Sequence, residues 1–313
     1  MEGMSDSKSS RRPCDSFNLL VLGPTGAGKS SLIYTWWRAL QAQEITAEDH
    51  NDVLAELSVG WSVVEPRDNS ATNIPTRKLL RAHHGTKGLR VFELLSARPD
   101  GAGICVHDTK GQQFYDTRES KHASSLIRGV AMEGSNQEHE NLRYWLKLGN
   151  LGLFQKRTLA DTPHVVVLVF DVTLRSLQKM ISAGGQRSTA SSPHLMVYND
   201  VVRQARLEGL EVFVALTHMD ALEAAQSDEA RGRETRVGET VSTIIADLKV
   251  GLSNALQSQV PPENINLIES YRVVKHSEDP RVELAALELL EALVTSSESF
   301  IAARTPDPIC RVS

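Results

Sequence analysis

The chain has 313 residues, of which 41% are hydrophobic and 23% charged, and a net charge of −5 at pH 7. That composition favours a soluble, globular protein with a sizeable core, arranged as one elaborated domain or two small ones. The longest apolar run, Val165 to Phe170, is too short to cross a bilayer, and with no long Lys/Arg run the electrostatic footprint of a DNA or RNA binder is missing, so neither a transmembrane segment nor a nucleic-acid partner is expected.

Met1 to Asp15 is Ser-rich and charged, without an apolar stretch that could act as a secretory signal, which makes residues 1–15 an expected disordered tail and the cytoplasm the default compartment. The three cysteines, Cys14, Cys105 and Cys310, are scattered and odd in number. They argue against a disulfide framework and against a zinc cluster.

The apolar run Phe17 to Leu22 reads as a buried strand, and Leu32, Ile33, Trp36, Trp37 and Leu40 recur at the spacing of one helical face. Between them stands Gly23-Pro24-Thr25-Gly26-Ala27-Gly28-Lys29-Ser30, followed by Ser31, which fits G-x-x-x-x-G-K-[ST] at every fixed position. Such a loop turns successive backbone N–H groups onto phosphates because its glycines carry no Cβ, and the helix N-terminus adds partial positive charge. Lys29 is then the counter-ion of the β and γ phosphates, and Ser30 offers a hydroxyl to Mg²⁺, a cation that prefers oxygen ligands. Trp36, Trp37 and Trp61 read as packing residues.

Further along, Lys78 to His83 and Leu89 to Leu95 read as an antiparallel pair at a sheet edge, with His83 and His84 on opposite faces and therefore unable to share a metal. Ile104 to His107 is the next strand. It ends in Asp108-Thr-Lys-Gly111, whose D-x-x-G form suits a carboxylate holding Mg²⁺ through water and a glycine N–H meeting the γ-phosphate. About fifty residues, 113–162, then exceed the needs of a simple connection and are expected to house an insertion.

His164 to Phe170, ending in Asp171, and Val212 to Leu216, ending in Thr217-His218-Met-Asp220, suit central parallel strands. Gly184 to Pro193 reads as a flexible loop. T-H-x-D is a variant of the sequence that reads guanine in GTPases: Asp220 is placed to accept from the base N1–H and exocyclic amine, or else caps a following helix. His218 replaces the usual lysine there, a departure expected either to weaken affinity or to loosen the base preference. Ile265 to Glu269 is the last strand and places Ser270 where GTPases meet the base edge; a helix from about Pro280 to Ala303 closes the fold. The alternation predicts an α/β fold, a doubly wound, mostly parallel sheet with helices on both faces and its ligand at the strands' carboxyl ends.

Taken together, G-P-x-G-A-G-K-S-S, D-x-x-G, T-H-x-D and the strand ending at Ser270-Tyr271 resemble the interferon-induced protein 44 family of GTPase-like proteins, over most of Phe17 to Ala303. The resemblance implies a three-layer P-loop NTPase G domain over 16–303 that binds GTP or GDP with Mg²⁺. On that basis Gly23, Gly28, Lys29 and Ser30 map to phosphate and metal, Asp108 and Gly111 to the γ-phosphate side, and Thr217 with Asp220 to the base. A switch threonine is sought upstream of Asp108, where Thr72 is the choice ahead of Thr76, as a further metal ligand. Gln112 follows Gly111 as a water-positioning glutamine does in Ras-like enzymes.

The leading expectation is a guanine-nucleotide switch or slow Mg²⁺-dependent GTPase, its completing arginine supplied by a protein effector or by a second copy in a homo-oligomer. A non-hydrolysing nucleotide-binding scaffold and, because of His218, an ATPase are the alternatives. Finally, Cys310-Arg-Val-Ser313 has the C-a-a-X form of a farnesylation signal, though Arg311 breaks its aliphatic pattern. A lipid anchor at Cys310 is one reading of residues 304–313, and a plain flexible tail is the other.

Overall fold

A computed structural model describes residues 14–41, 62–63, 90–97, 102–109, 111, 117–129, 159–173, 177, 193–218, 237–269 and 279–305. Among them the strands are β1 (Ser16–Leu22), β2 (Ser62–Val63), β3 (Arg90–Ser96), β4 (Gly103–Asp108), β5 (Val165–Asp171), β6 (Glu211–Thr217) and β7 (Ile265–Leu267). The helices are α1 (Lys29–Gln41), α2 (Thr117–Ile127), α3 (Pro193–Leu207), α4 (Val237–Ala255) and α5 (Pro280–Arg304). The strands form one sheet in the order β2-β3-β4-β1-β5-β6-β7. From β4 to β7 every pairing is parallel, while β2 and β3 extend the sheet antiparallel beyond β4.

The central strands are apolar at nearly every position because both of their faces are covered: all seven residues of β5 are buried, as are the last six of β1 and of β6. On one side α1 packs with α5, where the fully buried Trp36 donates its indole N–H to the carbonyl of Ala286 at 2.9 Å. On the other, α2 packs with α3, and Ser120 Oγ bonds Asp200 Oδ2 at 3.1 Å. The result is a three-layer α/β fold. The chain order reverses direction at β1, which has β4 on one side and β5 on the other, so the crevice for a ligand opens where β1 and its neighbours end.

Helix α5 shows how local sequence sets an element. Asp279 is its N-cap and accepts from the N–H of Arg281 at 3.1 Å, Pro280 occupies the first turn, where its missing N–H costs nothing, and Val282, Ala286, Leu289 and Leu293 form the buried face that the spacing predicts.

Several boundaries differ from the sequence reading. Cys14 is buried and the carbonyl of Asp15 accepts from Gly103 N at 2.8 Å, so the fold starts before residue 16. Helix α5 runs through Arg304. Pro193 is the first residue of α3 rather than the end of a loop. Within 113–162 the helix α2 belongs to the sheet's outer layer. The described neighbour on the outer edge of β3 is β2; Lys78 to His83, Trp61, and the insertion's Leu142 to Phe154 lie outside the described residues.

A buried polar knot pins the end of the sheet remote from the loop. Asn18 N donates to His164 Nδ1 at 3.0 Å, while His164 Nε2 lies 2.9 Å from the carbonyl of Leu159, which fixes a neutral ring with its proton on Nε2. Asn18 Nδ2 donates to the carbonyls of Ala160 and Thr162, and Asn18 Oδ1 lies 3.4 Å from His107 Nε2. Burial lowers the pKa of both histidines, that of His107 to about 4 with the nearby His164 adding to the effect.

Candidate functional site

The carboxyl ends of β1, β4, β5 and β6 converge on the loop 23–30. Gly23 and Gly28 are required by geometry as well as motif. Gly23 has φ +150° and a Cβ there would lie 2.2 Å from the carbonyl oxygen of Val169 in β5; Gly28 has φ +87° and is flanked by Thr217 and His218. Gly26, at φ +82°, has open space where a Cβ would stand. Helix α1 starts directly from the loop, with Leu32 N bonded to the carbonyl of Gly28 at 2.8 Å.

Lys29 is buried, and its ammonium donates to the carbonyls of Gly23 at 3.0 Å and Pro24 at 2.8 Å. Desolvation pulls its pKa down to about 8, with the charge of Asp108 acting in the opposite direction. A cation held this way on two neutral carbonyls gains far more from a phosphate oxygen, because a bond between opposite charges replaces one between a charge and a dipole.

Ser30 Oγ donates to Asp108 Oδ2 at 2.7 Å, which brings the first turn of α1 and the end of β4 together. Among the described residues no group of three or more His, Cys, Asp or Glu could by itself hold a metal. A hydroxyl and a carboxylate are nevertheless the hard oxygen donors that suit Mg²⁺, which takes its remaining ligands from phosphate and water, so the residues present fit that ion. Beyond Asp108, the Thr109 hydroxyl is tied to the carbonyl of Val21 at 2.8 Å, and Gly111 lies so close to the loop that a Cβ on it would sit 2.4 Å from Thr25 Cα.

At the end of β6, Thr217 is fully buried and its hydroxyl donates to the carbonyl of Ala27 at 2.8 Å, with the carbonyl of Phe170 at 3.2 Å. The sequence reading gave Thr217 to the base; in the structure its hydroxyl bonds the loop. His218 has φ +62°, and its Nδ1 lies 3.0 Å from Thr217 Oγ1 and 3.4 Å from Asp171 Oδ2. Asp171 was read only as a strand end. Its other oxygen, Oδ1, accepts from Thr173 N at 2.8 Å and from Thr173 Oγ1 at 2.6 Å.

The structure thus gathers Gly23 to Ser30, Asp108, Gly111, Thr217 and His218 around one loop. Ser31 lies in the first turn of α1, and its carbonyl accepts from Thr35 Oγ1 at 2.8 Å. Thr72, Gln112, Asp220, Ser270 and Cys310 lie outside the described residues. A cavity of about 360 Å³ lies away from the loop, lined by Arg128, Glu208, Phe300 and Arg304 among others. Its arginines are engaged by Glu208 and Gln204 and by the Glu208 carbonyl, so it reads as a structural notch.

Among the described residues no helix is long and apolar enough to cross a membrane. The chain matches no family model, and no curated protein matches it. A crystal structure described as a probable GTP-binding protein EngB matches over 92% of this chain and 99% of its own, at 12% identity and a TM-score of 0.37. At that score the likeness carries no weight for ligand or reaction.

Proposed function

We propose that this chain is a guanine-nucleotide-binding protein of the phosphate-loop class, working with Mg²⁺ as a nucleotide-dependent switch or slow GTPase in the cytoplasm, and akin to the interferon-induced protein 44 family. The observation that carries the reading is the loop itself: Gly23 and Gly28 at positive φ, the first with no room for a Cβ, a buried lysine ammonium resting on loop carbonyls, and a serine hydroxyl 2.7 Å from the aspartate at the end of the neighbouring strand. That combination suits a polyphosphate and little else.

In this reading the main-chain N–H groups of 25–29 bind the phosphates, and Lys29 leaves its two carbonyls for the β and γ oxygens. Ser30 and Asp108 would hold Mg²⁺, which when bound neutralises charge on the transferring phosphoryl group. Gly111, packed on Thr25, is placed to respond to the presence of a terminal phosphate, and such contacts are what convert a nucleotide into a conformational signal. Guanine is favoured by Asp220 in T-H-x-D. Hydrolysis would draw on Gln112 and Thr72, with an arginine from a partner protein or second copy. ATP is the second reading, favoured by His218 at the base position.

Calorimetric titration of the full chain with GTP, GDP and ATP in Mg²⁺ tests this. Binding of GTP and GDP at least about tenfold tighter than ATP is expected; equal affinities would move the assignment to a purine-tolerant or ATP-binding protein.

A further inference from the structure

Three strand ends of this sheet close in the same register but not through the same group. One residue past the last pair of β5 with β6, Val172 N donates to the carbonyl of Thr217 at 3.2 Å. One residue past the last pair of β7 with β6, Ile268 N donates to the carbonyl of Leu216 at 2.8 Å. Main-chain N–H groups thus carry both ladders one step beyond the strands, as parallel pairing directs. One residue past the pair Val21 and Asp108, the equivalent acceptor is met by a side chain: Thr109 Oγ1 donates to the carbonyl of Val21 at 2.8 Å.

Val21 and Thr109 are both buried, where an unpaired carbonyl is costly, and the hydroxyl meets that need. A side-chain donor at this position competes with the ladder and leaves the main chain able to turn out of the sheet. Two residues later the chain lies against the phosphate loop, so close that a Cβ on Gly111 would sit 2.4 Å from Thr25 Cα and 2.6 Å from Thr25 N. Asp108, whose Oδ2 accepts from Ser30, and Gly111 therefore stand on either side of a residue pinned to the strand that feeds the loop.

We propose that Thr109 is a positioning residue for the terminal phosphate: its hydroxyl fixes the point at which the chain leaves β1 and so holds Gly111 beside Thr25. The inference rests on the phosphate-loop reading above and deepens it, since the ligand it distinguishes is a nucleoside triphosphate as against a diphosphate. Thr109 acts through Gly111 and touches neither nucleotide. Without the hydroxyl, the Val21 carbonyl regains a donor by drawing the main chain of residue 109 back into the ladder, which carries Gly111 away from the loop.

Calorimetry of the full chain in Mg²⁺ with GTP and with GDP, with Tm read on the same samples, tests this. Thr109→Val keeps the branched shape and loses the hydroxyl; it should weaken GTP about fivefold, the scale of one net hydrogen bond, and leave GDP within about twofold of the parent. Thr109→Ser keeps the hydroxyl and should hold both nucleotides within about twofold of the parent. A purely structural role would lower Tm and move GTP and GDP together. That result, unchanged binding of both, or a Thr109→Ser that behaves like Thr109→Val would overturn the proposal. Should Thr109→Val not fold, Thr109→Ala carries the same expectation; failure of both to fold would make Thr109 a residue of the fold alone and overturn it too. A parent protein that binds neither nucleotide would instead refute the phosphate-loop reading, and this inference with it.

Discussion

Ser30 Oγ lies 2.7 Å from Asp108 Oδ2, joining residues 78 positions apart at the first turn of α1 and the end of β4. Both groups offer only oxygen, and both belong to rigid elements, so the pair is preorganised for a hard cation whose other ligands arrive with the nucleotide. Asp108→Ala should therefore abolish the gain in triphosphate affinity that Mg²⁺ confers, at least about tenfold, while affinity in EDTA stays near that of the parent. Filter binding with and without Mg²⁺ checks it. A variant that keeps the full Mg²⁺ effect would remove Asp108 from the metal site.

Gly23 tests the backbone side of the same argument. An alanine there places a Cβ 2.2 Å from the Val169 carbonyl and holds a side-chain-bearing residue at φ +150°, so β1 and β5 must separate or the loop must rebuild. We expect Gly23→Ala to cost about 3 kcal/mol or more, a fall in Tm on the order of 5–10 °C. Gly26→Ala meets no atom within 4 Å, though its φ of +82° still strains an alanine, and should cost only about 1 kcal/mol. Differential scanning calorimetry of the two variants compares them; equal Tm values would contradict the described loop geometry.

Acid should weaken the fold through His107 and His164, the buried histidines on either side of Asn18. An unfolded histidine titrates near 6.5, whereas His107 in the fold titrates at about 4 and His164 is also lowered, both chiefly by burial. Below pH 6.5 the unfolded chain takes up protons that the fold refuses, so stability present above that pH is lost as pH falls toward 4. His107 accounts for up to about 3 kcal/mol of that loss. His107→Leu removes the titrating ring, at the cost of its 3.4 Å contact with Asn18 Oδ1, and should flatten the decline. Urea unfolding at pH 7.5 and pH 5 measures it, and an unchanged slope in the variant would rule His107 out.

The loop, the strands on either side of it and the closing helix were legible because each is local: a motif with fixed spacing, a continuous β-branched run, a capped apolar stripe. The outer helices were less so. Helix α3 opens with the signal Ser192-Pro193 and repeats Val197, Tyr198, Val201, Val202 and Ala205 at helical spacing, but the preceding polar run reads as loop. Helix α4 repeats Ile245, Leu248, Leu252 and Ala255 at helical spacing, a pattern that a period count along 237–255 would have found. The Asn18–His164 bond, across 146 residues, and the pairing of Asp171 with His218 leave no trace in sequence spacing. Side chains meet there only because parallel strands bring their ends together. What the Thr217 hydroxyl touches is decided by the packing of Ala27 and Phe170 around it, which no motif spells out.

Lys29 carries the central claim. Its ammonium is buried on two neutral carbonyls, a costly placement for the fold by itself, so replacing it with an apolar chain of similar length should leave Tm unchanged or raise it. The direct test is equilibrium binding of GTP and inorganic tripolyphosphate to the parent and to Lys29→Met in Mg²⁺, with Tm measured on the same samples. We predict that the folded variant loses at least about a hundredfold in affinity for both ligands, the scale of a charge-assisted bond pair. A folded Lys29→Met that binds both as tightly as the parent would contradict the account.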